Sequence, residues 1–109
     1  MLSHVNDCER VFASRALWFA RSLGAALPSF DQDLAAVGAD ADRISWAAHV
    51  EEFRRVRLSS ISLFENMAPE AWMRGGIASD NHFTVRALAY IIAGHLVHHS
   101  ARLEEYRQT

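Results

Sequence analysis

The sequence predicts an all-α domain built as a helical bundle, with three long helices and long connecting loops. Three observations predict it. Three stretches repeat apolar residues at helical spacing, and no stretch alternates apolar with polar residues as a half-buried strand does. The breaks between the helical stretches hold Pro, Gly, Asp and Ser. Helices of roughly 22 residues span about 33 Å at 1.5 Å per residue, the length of a bundle. Half of the 109 residues are apolar, enough for one core in one domain, residues 1–109.

The first helix is expected from about Leu2 to Leu23. Leu2, Val5, Cys8, Phe12, Leu17 and Phe19 recur near helical spacing, polar residues fill most of the rest, and Gly24 follows as a stop. Its first turn holds Leu2, His4 and Val5 with no capping residue before them, so the chain reads as starting inside an element. Ala25 to Arg43 reads as a linker. Leu27-Pro28-Ser29-Phe30-Asp31-Gln32-Asp33 carries Pro and Asx turn chemistry, and Leu34 to Val37 forms at most a helical turn stopped by Gly38.

The second long helix is expected from Ser45, its N-cap, to Met67. Its buried stripe is Trp46, His49/Val50, Phe53, Val56, Ser60/Ile61, Leu63/Phe64 and Met67. Pro69 at N1 opens a short helix that Gly75-Gly76 ends, and Ala78 to Phe83 reads as a loop. Thr84 caps the last helix, which runs to about Arg107.

Composition excludes several classes. The formal charge is −2 with acidic and Arg residues interspersed, so no basic face for nucleic acid is expected. No apolar run reaches the roughly 18–20 residues of a membrane span. One cysteine, Cys8, allows no intramolecular disulfide, and the start lacks a basic region followed by an apolar one, which together predict a cytoplasmic protein. There is no G-x-S-x-G, no glycine-rich phosphate loop and no H-E-x-x-H.

The chemistry is in the last helix. Its apolar series is Val85, Leu88, Ile92, Leu103 and Tyr106, and the gap falls on His95 and His99. Two imidazoles thus occupy positions where a core takes Leu or Ile, and their nitrogens need partners. Residues four apart lie on one face, so the pair is half of a zinc or nickel site. A bland reading, core histidines bonded to carboxylates or carbonyls, stands beside it. A third ligand would come from His4, His49 or His82, with Cys8 as an outsider that reads better as a small core residue. His98 is rotated about 100° from His99 around the helix and has no ligand position of its own.

Two groups of residues carry a family resemblance. The first is His4-Val5-Asn6-Asp7-Cys8-Glu9-Arg10-Val11-Phe12, Arg15-Ala16-Leu17 and Leu27 to Asp33. The second is Trp72 to Ser79 and Thr84 to Leu88 leading into Gly94-His95-Leu96-Val97-His98-His99. In order and over nearly the whole chain this resembles the DinB-like (DinB/YfiT) metal-binding proteins. The resemblance implies a four-helix bundle, here with its first helix missing, and a three-histidine divalent-metal site of His4, His95 and His99. It leaves His49, His82 and His98 without a ligand role. It further implies zinc or nickel, a homodimer, and a thiol-dependent transferase, isomerase or hydrolase. Such an enzyme would use a low-molecular-weight thiol and a small electrophilic substrate, its metal keeping an open position. The alternative is a non-catalytic helical dimerisation module whose metal site is structural or vestigial.

Overall fold

A computed structural model describes the backbone of residues 1–108 and the side chains of residues 1–98. The elements are α1 (Leu2–Ala20), α2 (Gln32–Ala39), α3 (Trp46–Glu65), β1 (Gly75–Ala78), β2 (Asn81–Thr84) and α4 (Val85–Gln108), with short 3₁₀ segments at Ala41–Arg43 and Pro69–Met73. The architecture is all-α with one small hairpin. No helix among the described residues is long and apolar enough to cross a membrane.

α1 is the central element. It packs on α3 along one side and on α4 along another, while among the described residues α3 and α4 have little contact with each other. The gap between them is an apolar groove of about 450 Å³ lined by Ile61, Phe64, Trp72 and Ile92. The dry core lies where the C-terminal half of α1 meets the start of α4. Ala16, Phe19 and Ala20 pack there with Met67, Ala71, Ala78, Val85 and Leu88.

The α1–α3 seam is polar. Asn6 is fully buried and its Nδ2 donates to the His49 carbonyl at 3.3 Å and to Glu52 at 3.2 Å. One turn on, the buried Glu9 carboxylate takes a two-point bond from Arg57, with Nη2 at 2.6 Å and Nε at 3.1 Å. The expected stripe of α3 is only partly covered: His49, Val56, Ser60 and Met67 are buried, whereas Trp46, Val50 and Ile61 are exposed. The reason is that α1 covers one side of α3, while the side toward α4 borders the open groove.

The caps expected at Ser45 and Thr84 are present: Ser45 Oγ accepts from Ala48 N–H and Thr84 Oγ1 from Ala87 N–H, each at 3.1 Å. Three boundaries differ. α1 ends at Ala20, with Arg21 as C-cap and Ser22 at φ 58°, so the turn precedes Gly24. α2 is a full helix that runs through Gly38. Asp31 caps it by accepting from the N–H groups of Asp33 and Leu34, and Asp40 ends it in the left-handed region. Residues expected as a glycine turn and a loop form the hairpin.

The hairpin pairs Gly75 with Thr84, Gly76 with Phe83, Ile77 with His82 and Ala78 with Asn81. Ser79 and Asp80 make its two-residue turn at φ 51° and 64°, the left-handed pair that matches strand twist. Both glycines serve close approach: a Cβ on Gly75 would stand 2.6 Å from the Phe83 carbonyl, and one on Gly76 2.5 Å from the Phe19 ring. Leu27 adds backbone bonds to the hairpin, donating to Ile77 O at 2.9 Å and accepting from Ser79 N–H at 3.2 Å. Val85 N–H donates to Arg74 O at 2.8 Å, so the hairpin leads straight into α4.

Candidate metal centre

His4 and Cys8 are one turn apart on α1, and both face α4. On α4, Val85, Leu88 and Ile92 are buried at spacings of three and four, and His95 continues that face, half-buried. The helix pair brings the His4 and His95 rings together edge to face, with centroids 5.1 Å apart. Cys8 Sγ is 3.6 Å from His4 Nδ1 and 3.7 Å from Nε2. One donor atom from each of His4, Cys8 and His95 lies within 4.8 Å of the others. Phe12, the next residue on the same face of α1, meets the His95 ring edge-on at 5.9 Å and gives the cluster an apolar wall.

The electrostatics favour neutral donors. Burial, and then the charges of His4 and His98, hold His95 below the ordinary imidazole pKa, so its lone pair is available at neutral pH. Burial pushes the Cys8 thiol up, helped by Asp7. A thiol in that setting stays protonated until a cation replaces the proton. Two imidazoles and a thiol form a borderline-soft donor set, unlike the oxygen ligands that a hard cation takes.

The other histidines are elsewhere. His49 is buried in the α1–α3 seam, its Nε2 donating to Ala41 O at 3.1 Å and its Nδ1 enclosed without a hydrogen bond. His82 is exposed on β2 with its ring above Gly75, and His98 is exposed on α4. The His99 side chain lies outside the described residues, as do Leu103 and Tyr106. The residue that sequence reasoning set aside is Cys8. Its signal was the four-residue step from His4, the same step that drew attention to His95 and His99.

The family model of the DinB superfamily matches residues 1–102. The chain belongs to the DinB superfamily. No curated protein and no solved structure gives a significant match. The matched span contains His4, Cys8, His95 and His99. In this DinB-superfamily chain the cluster is compatible with metal binding, its donors coming from α1 and α4.

Proposed function

We propose that this chain binds a divalent metal ion, zinc or nickel, through His4 and His95, with His99 as the third imidazole. The observation that supports it is the convergence of His4, Cys8 and His95 donor atoms within 4.8 Å across two helices. On this reading the protein is a metalloenzyme of the thiol-dependent transferase or isomerase type. Held by three histidines, such an ion would keep its full charge and would supply Lewis-acid chemistry toward a substrate oxygen or a small thiol.

Cys8 favours a second reading. A site with His4, Cys8, His95 and His99 has four protein donors, the count of a closed structural centre. The chain is then a helical module whose ion holds α1 to α4 and does no chemistry. The two readings differ in one measurable respect, whether sulfur is bound.

Metal analysis of protein purified without chelator should give one ion per chain. Cobalt(II) substitution then reads the donors. An intense near-ultraviolet thiolate band that disappears in Cys8→Ser places sulfur on the ion and favours the structural centre. Its absence, with metal content unchanged in Cys8→Ser and lost in His99→Ala, supports the three-histidine enzyme. Metal-free protein that takes up no zinc or nickel would sink both.

A further inference from the structure

Arg15 carries an inference independent of the metal centre. It lies on α1 with only 7% of its surface exposed. Its Nη2 donates to the Pro28 carbonyl at 3.0 Å and to Ser79 Oγ at 3.2 Å. No carboxylate comes within 4.0 Å of it among the described residues. The contrast with Arg57 is direct, since that guanidinium is held by Glu9. A cation taken out of water without a counter-ion is costly, and two neutral oxygens on one nitrogen compensate only part of it.

The remaining nitrogens of Arg15 have an outlet. The enclosed side-chain polar atoms without a hydrogen bond, among the described residues, are Asn6 Oδ1 and His49 Nδ1. Arg15 Nε and Nη1 are not among them and make no hydrogen bond among the described residues, so neither nitrogen is sealed off. Arg15 lines a hollow of about 390 Å³ between α1 and the Leu27–Phe30 segment, whose walls are mainly Trp18, Leu27, Pro28 and Phe30. The Trp18 indole N–H is already bonded to Ala25 O at 2.9 Å, which leaves its carbon rings for the hollow. An apolar cavity of small-ligand size with one buried charge at its wall is the usual form of an orienting site.

We propose that this hollow binds a small carboxylate with an aromatic or branched apolar body. The carboxylate would take the open N–H groups of Arg15, whose planar fork matches two oxygens, while the body packs on Trp18, Leu27 and Phe30. A carboxylate fits better than a dianionic phosphate, because the site has one unpaired cation and apolar walls. Arg10 at the rim is already engaged by Glu52 at 3.2 Å.

The test is a titration of the full chain with 3-phenylpropionate, followed by the Trp18 indole N–H signal in nitrogen-15 NMR. Its neutral isostere, 3-phenylpropionamide, is the control. Saturable binding is expected, at least tenfold weaker for the amide. Arg15→Met also removes the bonds to Pro28 and Ser79 and can unfold the segment. Ser14→Glu is therefore the decisive variant: an exposed residue lining the same hollow gains a carboxylate that repels an anionic ligand, and binding of the acid should fall at least tenfold while the fold is kept. Equal binding of acid and amide reduces the hollow to an apolar crevice and overturns the proposal. So does unchanged binding in Ser14→Glu, or the absence of any saturable shift with the acid, either of which leaves Arg15 as a tie between the linker and the hairpin.

Discussion

Arg57 meets the buried Glu9 carboxylate at two points, Nη2 at 2.6 Å and Nε at 3.1 Å, with Glu9 itself only 3% exposed. The pair fixes the rotation of α1 against α3. Because Glu9 follows Cys8 in sequence, it also fixes which face of α1 is turned to α4. Arg57→Met strands a carboxylate out of water. The expected loss is about 2–4 kcal/mol, below the fully buried case because part of Arg57 is in solvent. Urea denaturation followed by circular dichroism measures it. A loss under about 0.5 kcal/mol would mean that the pair behaves as an ordinary surface bridge.

The proposed metal centre predicts a separate pattern. His4→Ala and His95→Ala should each lose stoichiometric ion, whereas His49→Ala and His82→Ala should keep it, since those rings face other parts of the fold. Chelation of the unaltered protein should lower its melting temperature by the linkage between ion binding and folding. The His4→Ala and His95→Ala variants should show no such chelator effect. Full metal content in either of these two variants would refute the assignment.

Acid should weaken the metal-free fold through His95. Its folded pKa is depressed by burial and by His4 and His98, while Cys8 also faces it from α1. Below the ordinary imidazole value of about 6.5 the unfolded chain takes a proton that the folded chain resists. The contribution of His95 is therefore fully present above about pH 6.5 and is lost as pH falls through the folded value. Denaturation midpoints of metal-free protein between pH 7.5 and 5 should fall less steeply in His95→Leu than in the unaltered chain. Identical slopes would remove His95 from the account.

Glycines separate the close approaches from the open helix. Gly76→Ala forces the Phe19 ring aside and Gly75→Ala collides with the Phe83 backbone carbonyl, so each should cost about 1–3 kcal/mol. A Cβ on Gly94 meets nothing within 4 Å, and that residue is inside α4. Gly94→Ala should stabilise by about 0.5–1 kcal/mol and leave metal content unchanged. Thermal melts of the three variants decide the order.

The three long helices were legible because their apolar residues repeat over many turns and because Ser45 and Thr84 are strong caps. The hairpin was not. Its strands have four residues each, β1 begins with two glycines, and Ser79-Asp80 takes the left-handed turn without the Asn-Gly signature. The reason for Gly75 and Gly76 is tertiary, the approach of Phe83 and Phe19, and no local pattern reports it. At the site, the helical face of His95 was legible from Val85, Leu88 and Ile92. Cys8 looked like core because burial and metal binding ask for the same position on a helix. Only the distance to His4 separates them.

The bonds that hold α1 to α3 join residues 42 to 48 positions apart, and those toward α4 join the two ends of the chain. An ion held between His4 and His95, as proposed, would thus be a cross-link as well as a centre. It would close nearly the entire chain into one loop, the arrangement in which a link removes most freedom from the unfolded ensemble. Release of such an ion would then be coupled to unfolding of the whole chain, which links the proposed centre to the topology.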